Sequence, residues 1–503
     1  MSAAENLAVV AGLEPARVWH YFAEIASVPR PSKHEARVRE RVRELAAAAG
    51  FASRTDAAGN LVIDVPASPG CDGAPLTVLQ GHLDMVCEKN SGTEHDFEHD
   101  PIRLVRDRDP ESGADIIRAA GTTLGADNGI GVALALAAAT DPAVVHPPLE
   151  ILCTVDEEAG MGGAEGLTPE SFRGRRLINL DSEEDDVLYI GCAGGGDTSL
   201  RWKLRPRPLP PTAVVVSVAV RGLRGGHSGT DIHENRGNAN KVLAATLTAS
   251  GSRSLRLVRI QGGSKRNAIA REAAAVVAGS RSLLRQLTRA AEEVQAITAR
   301  EHREPGVRIE VATDSGERPD AALSPTDTQR VLRALTALPH GVMEMHAELP
   351  GLVQTSNNVA TIVQQPHPQQ PDHWLLTVGC LARSSSEARL AAAREQLAAV
   401  AALSGGAAEF GHTYPGWQPD TRSPLLNTCQ RIYRELFGTD ARVTAIHAGL
   451  ECGVIGRQVG GLDMASLGPN IKGAHSPDER VYIDSVRKSY RFLTAILADL
   501  ARG

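Results

Sequence analysis

The chain has 503 residues, of which 42% are hydrophobic and 22% are charged, and these fractions exclude a disordered, collagen-like or coiled-coil protein. Its formal net charge of −7 gives no compositional support to nucleic-acid binding through a broad basic surface. At about 150 residues per domain, the length corresponds to about three domains or to a large catalytic domain with an insertion.

The N-terminal part of the chain predicts alternating helices and strands. Apolar residues at helical spacing between Val18 and Val28 predict one helix, and residues 36–49 predict a second that ends at Gly50. Four short apolar runs predict buried strands: Leu61–Val65, Leu76–Leu79, Leu149–Val155 and Leu177–Leu180. Together with a helix at 130–139, this alternation predicts an α/β domain with a mostly parallel mixed sheet.

A basic, proline-rich stretch at residues 201–211 (RWKLRPRPLPP) cannot continue a helix or a strand, and indicates a domain boundary. The chain beyond it predicts a small α+β unit with strands at 213–220, 255–260, 267–278 and 307–312 and helices at 238–250 and 283–302. After Ser324 the order partly recurs, with helices at 326–337 and 387–403 and strands at 357–364, 374–382 and 407–412. The likeness is weak, so a degenerate duplication and coincidence both stay open.

The last segment of the chain, with a strand at 443–446 and an amphipathic helix at 485–500, predicts a return to the first domain. We therefore expect a catalytic domain made of residues 1–205 and 414–503, with a lid domain inserted at 206–413. This lid is expected to be α+β and to contain either one enlarged unit or two degenerate repeats.

The cysteines and the N-terminus bear on the compartment of the protein. The seven cysteines are scattered and never form a CxxC pair, which fits neither a disulfide framework nor a zinc ribbon. The first residues carry acids and lack a long apolar core, so they do not predict a secretory signal. These features favour a cytoplasmic location with no membrane partner.

Acids and a histidine follow the apolar runs of the first domain: His82 and Asp84 after the second, Glu157 and Glu158 after the third, and Asp181 after the fourth. Open parallel sheets bind ligands at the carboxyl ends of their strands, so we expect these side chains to lie together. Asp127, just before the helix at 130–139, can join them from a loop.

Each of these residues has an ordinary structural explanation when taken alone. Asp127 can be a helix cap, Glu157 and Glu158 a solvated turn, and His82 a buried histidine with its hydrogen bonds satisfied. The set is more specific, because histidines and carboxylates without cysteine suit a pair of catalytic Zn²⁺ or Mn²⁺ ions bridged by a carboxylate.

A series of motifs resembles those of the cocatalytic dizinc metallopeptidases, a family that includes aminoacyl-histidine dipeptidases, carnosinase, glutamate carboxypeptidase and aminoacylase. The motifs are GHLDMV (81–86), TLGADNGIGVA (123–133), TVDEEAGMGGA (154–164), INLDSEE (178–184), GGHSGTDIHENRGNANK (225–241), GGSKRNAIARE (262–272), HAGLECG (447–453) and GPNIKGAHSPDERV (468–481). They span nearly the whole chain in the family's order, and the likeness is strongest to the dipeptidases.

The resemblance implies a zinc-exopeptidase-like catalytic domain and assigns roles to the acids and histidines. The implied metal ligands are His82, Asp127, Glu158, Asp181 and His475, with Asp127 as the bridge. Asp84 would orient His82. Glu157 would act as the general base on a water held between the metal ions.

The resemblance also implies residues that bind substrate. His227 would stabilise the oxyanion, and Asn267 and Arg383 would hold the peptide and its C-terminal carboxylate. Arg383 can alternatively be a surface arginine after a strand. Glu451 would line the site and meet the free amino group. The family's usual NAIPRE motif reads NAIARE in this chain, with Ala270 in place of the proline. This departure changes a strand end without removing a reactive group.

The function implied by the resemblance is metal-dependent hydrolysis of unblocked dipeptides, with Xaa-His compounds favoured. Two divalent metal ions are expected, zinc first, with manganese or cobalt as alternatives. The expected partner is a small dipeptide, and the protein is expected to be a homodimer or a lid-duplicated monomer. A related exopeptidase, an N-acyl amino acid amidohydrolase and a non-catalytic metal-binding protein are the other interpretations.

Overall fold

The chain divides into two units in a computed structural model, which describes residues 3–314 and 316–503. The first unit comprises the chain up to Gly191 together with Pro419–Ala445 and Leu450–Gly503, and the second comprises Cys192–Gln418 and Ile446–Gly449. The boundary expected after residue 205 therefore lies earlier, because residues 194–204 form a strand that pairs within the second unit. The expectation that residues 201–211 cannot continue a strand is wrong for 201–204, where no proline interrupts the pairing. The boundary expected after residue 413 lies later, at Gln418.

The described residues form α-helices, a 3₁₀ turn and β-strands, which are numbered along the chain. The helices are α1 Ala3–Val9, α2 Ala16–Ala26, α3 Ala36–Ala48, α4 Ala126–Thr140, α5 Glu157–Gly160, α6 Gly162–Glu165, α7 Ala239–Ala249, α8 Leu283–Glu301, α9 Pro325–Ala337, α10 Glu387–Leu403, α11 Pro424–Phe437, α12 Glu451–Val459 and α13 Ile483–Leu500, with a 3₁₀ turn at Ile232–Glu234. The strands are β1 Ala52–Thr55, β2 Leu61–Val65, β3 Thr77–His82, β4 Leu104–Arg108, β5 Asp115–Ala119, β6 Leu149–Thr154, β7 Arg176–Asn179, β8 Val187–Cys192, β9 Gly194–Leu204, β10 Arg207–Pro208, β11 Val214–Arg221, β12 Gly226–His227, β13 Arg256–Gly262, β14 Ala268–Ile269, β15 Ala273–Gly279, β16 Arg308–Thr313, β17 Ala321–Ala322, β18 Gly341–Met345, β19 Val353–Pro366, β20 Trp374–Ser384, β21 Ala407–Tyr414, β22 Arg442–Ile446, β23 Asp463–Ser466, β24 Ile471–Lys472 and β25 Arg480–Tyr482.

The main sheet of the first unit has the strand order β1-β2-β6-β3-β7-β23-β8-β22. Strands β6, β3, β7 and β23 run parallel, whereas β1, β2 and β8 pair antiparallel towards the edges. The predicted mostly parallel mixed sheet is therefore confirmed. Within the described residues, no helix combines the length and the apolar character that a bilayer span requires.

Burial explains which strands occupy the centre of this sheet. Every residue of β3 and β6 is buried, as expected for central parallel strands that are covered on both faces. Helix α4 packs against β3, and small alanines and glycines along it allow this close approach. Asp127 and Asn128 depart from helical backbone angles, so the regular part of α4 begins only after them.

The large sheet of the second unit has the order β16-β11-β15-β13-β19-β20-β9-β21, with β18 added beside β19, and its pairs are antiparallel. One half follows the chain as β11-α7-β13-β15-α8-β16, and the other as β9-α9-β19-β20-α10-β21. From the outer edge inwards, the first half has the order β16-β11-β15-β13 and the second half the order β21-β9-β20-β19. In both halves this is the fourth, first, third and second strand along the chain. The recurrence expected after Ser324 therefore includes β9, which lies far upstream, and internal duplication stays a prediction.

One hydrophobic cluster joins the two halves of the second unit. It contains Val218 and Leu243 from one half and Trp202 and Leu397 from the other, all of them buried. Since the two halves share this core, they form one unit with mixed helices and strands, and its role as a lid stays a prediction.

Candidate active site and metal centre

Three neighbouring parallel strands deliver the predicted site residues to one edge of the main sheet. Strand β3 ends at His82, and Asp84 follows two residues later. Strand β6 leads into α5, which begins with Glu157 and Glu158, and β7 leads to Asp181. The expectation that these side chains meet at the carboxyl ends of the strands agrees with the structure.

The carboxylate of Asp127 lies between two histidines. Its Oδ1 is 2.9 Å from His82 Nε2, and its Oδ2 is 3.2 Å from His475 Nε2. Each histidine also meets a carboxylate of its own: Asp181 Oδ1 is 3.3 Å from His82 Nε2, and Glu158 Oε2 is 3.0 Å from His475 Nε2. The five predicted ligands thus form two groups that share Asp127.

This donor set fits two divalent cations. Imidazole nitrogens and carboxylate oxygens without thiolates are the ligands of catalytic zinc and manganese sites, and a shared carboxylate is the usual bridge. Potential ligand atoms of His82, Asp127 and Glu158 lie within 4.8 Å of one another. In addition, Glu158 Oε1 is buried and accepts no hydrogen bond, as expected of an oxygen placed to bind a cation.

Mutual attraction and burial shift the pKa values of these ligands in opposite directions. Burial alone would raise the pKa of Asp127, but hydrogen bonds from His475 and His82 hold it far below its usual range. The hydrogen bonds that His475 itself makes to Asp127 and Glu158 raise its pKa to about 11. Asp181 is different, because burial and the charge of Asp127 outweigh His82 and raise its pKa to about 7. The site therefore concentrates negative charge that cations would neutralise.

Asp84 organises more of the site than the sequence predicts. Its buried carboxylate faces His82 Nδ1 at 3.4 Å, which leaves the Nε2 atom of His82 directed at the acids. It also accepts the backbone N–H groups of both Glu157 and Glu158 at 3.0 Å and the hydroxyl of Ser32 at 2.8 Å. Burial opposes ionisation of Asp84, but its partners lower its pKa to about 2. Asp84 thus fixes the two glutamates as well as the histidine.

Glu157 lies beside the ligand cluster, and none of the ion pairs between the ligands includes it. Burial raises the pKa of Glu157 well above the ordinary glutamate value, and the nearby charges of Asp181 and Glu451 add to this effect. Asp84 holds the backbone of Glu157, and the carboxyl group of Glu157 feels the charges of Asp181, Glu451 and Glu158.

Glu451 lies at the start of α12 and is only 1% exposed. Its Oε2 accepts hydrogen bonds from Gln80 Nε2 at 2.6 Å and from Thr154 Oγ1 at 2.8 Å, while its Oε1 is buried without a partner. Burial raises the pKa of Glu451 to about 7. Glu451 therefore lies against the strands that carry the cluster, and its contact with a substrate amino group stays a prediction.

Asn128 ties the loop of Asp127 to the sheet. Its Nδ2 donates to the carbonyl of Leu180 at 2.7 Å, one residue before Asp181. A Cβ atom at Gly81 would overlap Asn128 Oδ1, and one at Gly131 would lie 2.5 Å from it. The glycines of the GHLDMV and TLGADNGIGVA motifs therefore leave room for this side chain.

The three lid residues predicted to bind substrate lie close together in the second unit. His227 on β12 pairs with Ala268 on β14, so Asn267 lies beside it, and the carbonyl of Asn267 accepts the N–H of Ser228 at 2.8 Å. Arg383 Nη2 approaches His227 Nε2 to 3.4 Å, although 156 residues separate the two. The side chain of Asn267 is exposed.

The backbone N–H groups beside His227 favour one position for the proton of its ring. The backbone N–H groups of Gly229 and Thr230 point at Nδ1 at 3.3 and 3.2 Å, so Nδ1 is an acceptor. Burial and the charge of Arg383 lower the pKa of His227, which favours the neutral ring. Neutral His227 therefore carries its proton on Nε2, and this N–H and the Arg383 guanidinium both offer donors at the same place.

Arg383 is 4% exposed, so the interpretation of this residue as a surface arginine is wrong. Its guanidinium donates to the hydroxyls of Tyr414 and Ser228, and its Nε is buried without a partner. A buried guanidinium held only by neutral groups is suited to receive an anion from outside the chain. Tyr414 was not predicted as a site residue, because its position at the end of an edge strand carries no sequence signal.

Comparisons with known proteins agree with this geometry. The chain matches peptidase family M20/M25/M40 over residues 78–499. It is 39% identical over 489 residues to the cytosol non-specific dipeptidase of Escherichia coli strain K12, covering 97% of this chain and 98% of the relative. It resembles the crystal structure of aminoacylhistidine dipeptidase from Vibrio alginolyticus with a TM-score of 0.87 and 38% identity, over 97% and 98% of the two chains. A tripeptidase from Staphylococcus aureus, at 15% identity and a TM-score of 0.59 over 98% and 100%, shares the fold.

The position of His475 predicts how its loss affects metal content. His475→Ala removes a donor from the group that contains Glu158, so the purified protein should hold less metal and lose activity. The measurement is metal content per chain by elemental analysis after dialysis, alongside turnover. His99→Ala is the matched control, because His99 is exposed and its recorded partner is Asp96. An inactive His475→Ala protein with full metal content would mean that His475 contacts substrate instead.

Proposed function

The chain belongs to peptidase family M20/M25/M40 and is a metal-dependent peptide-bond hydrolase that acts on dipeptides, and we propose that its preferred substrates are unblocked dipeptides with a C-terminal histidine. The single observation that carries the catalytic part of this proposal is the carboxylate of Asp127, shared between His82 and His475. The substrate preference is taken from the aminoacylhistidine dipeptidase that the chain resembles over nearly its whole length.

We propose that the five ligands hold two zinc ions, with His82 and Asp181 on one, His475 and Glu158 on the other, and Asp127 between them. Manganese and cobalt accept the same donors and are the alternatives. Ions bound there would polarise the peptide carbonyl and make water a stronger nucleophile at neutral pH.

Glu157 is the general base in this proposal. The bond to Asp84 fixes its backbone, so its carboxylate is available beside the cluster to take a proton from the attacking water. The same carboxyl group then delivers the proton to the nitrogen of the leaving amine, which departs as the free C-terminal residue. His227 donates its Nε2–H to the oxyanion that forms on the carbonyl oxygen.

Arg383 is proposed to bind the C-terminal carboxylate of the dipeptide. The buried guanidinium has neutral hydroxyl partners, and an incoming carboxylate would supply the missing opposite charge. Asn267 is proposed to hold the peptide backbone and Glu451 the free amino group. Arg383 and His227 meet within one chain, so a single lid carries both residues, and the homodimer and the lid-duplicated monomer stay the two alternatives.

A cytoplasmic location completes the proposal. It is supported by the name of the Escherichia coli relative, cytosol non-specific dipeptidase.

The first test of the function is a panel of Xaa-His and Xaa-Leu dipeptides with their N-acetylated forms, assayed with zinc, manganese or cobalt. We expect the unblocked dipeptides to be cleaved, Xaa-His fastest, with release of the free C-terminal amino acid. Cleavage of the acetylated forms alone would contradict the proposal and indicate an N-acyl amidohydrolase.

Glu157→Gln keeps the shape of the side chain but removes its ability to accept a proton. The variant should lose about two to four orders of magnitude in kcat, the usual contribution of a general base, while still binding metal. Glu170→Gln, an exposed glutamate on a neighbouring turn, is the matched control and should keep wild-type turnover. Near-normal turnover of metal-loaded Glu157→Gln would remove this residue from the mechanism.

Arg383→Met should weaken transition-state binding of dipeptides with a free C-terminus by about 10–100-fold in kcat/KM, the equivalent of about 1.5–3 kcal/mol for a charged hydrogen bond. Dipeptide amides lack the carboxylate and should respond much less. The measurement is the ratio of kcat/KM for acid and amide substrates. Arg389→Met, at an exposed arginine paired with Glu344, is the control. An equal loss for acids and amides would argue against a carboxylate-binding role.

A further inference from the structure

Arg30 is a buried arginine that follows α2, and its side chain is 1% exposed. Its Nη1 donates to the carbonyls of Leu83 at 2.8 Å and Asp84 at 2.7 Å, and its Nη2 donates to the carbonyl of Gly125. One guanidinium therefore connects the segment after β3 with the loop that precedes α4.

Two glycines of the loop make room for this guanidinium. Gly125 has a φ of 70°, and a Cβ atom there would overlap Arg30 Nη2. At Gly129 a Cβ atom would lie 2.7 Å from the same nitrogen. Since any other residue would displace Arg30, both glycines of the GADNG sequence fit the presence of this arginine.

Glu479 holds the same loop through its N–H groups. The residue is 2% exposed and lies four positions after His475, just before β25. Its Oε2 accepts from Leu124 N at 2.7 Å and Gly125 N at 2.9 Å, and its Oε1 accepts from Asp127 N at 3.2 Å. Every oxygen of this carboxylate is thus used on the backbone that presents Asp127.

The two side chains have opposite charges and act on the same turn. Arg30 binds the carbonyl of Gly125, and Glu479 binds the N–H groups on either side of it. Burial lowers the pKa of Arg30, and the charge of Glu479 is the largest influence that opposes this. Removing two charged groups from water costs free energy, so burial of Arg30 and Glu479 is by itself weak evidence that they stabilise the fold. A role in positioning requires that their bonds fix the geometry of a nearby group.

That group is the carboxylate of Asp127. Its two oxygens reach His82 and His475 at 2.9 and 3.2 Å only if the backbone at Asp127 keeps its place. We propose that Arg30 and Glu479 are positioning residues that clamp the Leu124–Asp127 turn, so that the Asp127 carboxylate can be shared by two metal ions. This inference rests on the proposed metal centre.

The alternative is that Arg30 and Glu479 contribute to stability alone, and a matched glutamate can separate the two. Glu150 at the start of β6 is fully buried and accepts the N–H groups of Arg173 at 2.7 Å and Gly174 at 3.0 Å, together with Arg54 Nη2 at 2.8 Å. Like Glu479, it is a buried glutamate that accepts backbone N–H groups, but it lies at the end of β6 opposite to Thr154 and the predicted ligands.

The experiment compares metal binding by the metal-free forms of wild type, Glu479→Gln, Arg30→Lys and Glu150→Gln. Zinc affinity is measured by competition with a chromophoric chelator, cobalt-loaded samples give visible absorption spectra, and circular dichroism reports the fold. Glutamine replaces one accepting oxygen with an N–H donor that faces backbone N–H groups. Lysine has a single side-chain nitrogen, so it cannot reach carbonyls of both segments as the two Nη atoms of the guanidinium do.

We expect Glu479→Gln and Arg30→Lys to bind zinc about 10–100-fold more weakly than wild type, as is usual when a partner behind a metal ligand is lost. Their cobalt spectra should also change, because the geometry at Asp127 changes. Glu150→Gln should lower the midpoint of thermal unfolding while its zinc affinity stays within about twofold of wild type.

Wild-type zinc affinity in folded Glu479→Gln would overturn the inference, as would an equal loss of affinity in Glu150→Gln. If Glu479→Gln does not fold, Arg30→Lys decides the matter by the same two measurements. A wild-type protein that binds no zinc would instead contradict the proposed function itself, so the two failures are distinguishable.

Discussion

The structure of the site depends on one carboxylate that two histidines share. Asp127 directs one oxygen to His82 and the other to His475, and these histidines come from opposite ends of the chain. A carboxylate bound on both oxygens in this way brings two donor groups to a fixed separation, which a pair of cocatalytic ions requires. The parallel strands β3, β6 and β7 bring the remaining acids to the same edge of the sheet.

The concentration of acids explains why so much of the surrounding structure donates hydrogen bonds. Burial, with repulsion between neighbouring carboxylates as a smaller effect, raises the pKa values of Asp181 and Glu451 to about 7. Backbone N–H groups stabilise two buried acids, Asp84 and Glu479, and thereby hold the segments that carry Glu157, Glu158 and Asp127. The protein thus uses its own amides to stabilise a site whose excess negative charge suits cations.

The sequence predicts much of this arrangement, because strand ends and motif spacing are local signals. The acids after β3, β6 and β7 could be assigned from the apolar runs before them, and His475 from its motif. Contacts between residues that are far apart in the sequence could not be predicted from these local signals. Arg30 lies between two prolines that indicate only a turn, the double role of Asp84 depends on the backbone of α5, and the meeting of His227 with Arg383 depends on the sheet. Strand β9 was not assigned to the second unit because its last residues belong to the proline-rich stretch at 201–211.

The most direct test of this account is an anomalous difference map from crystals of the protein grown with zinc. The account predicts two peaks about 3.5–4 Å apart, one on each side of Asp127 and each about 2.0–2.2 Å from one of its oxygens. His82 and Asp181 should lie at one peak, and His475 and Glu158 at the other. A single peak, or two peaks that do not share Asp127, would contradict the central claim that this carboxylate joins the two halves of the site.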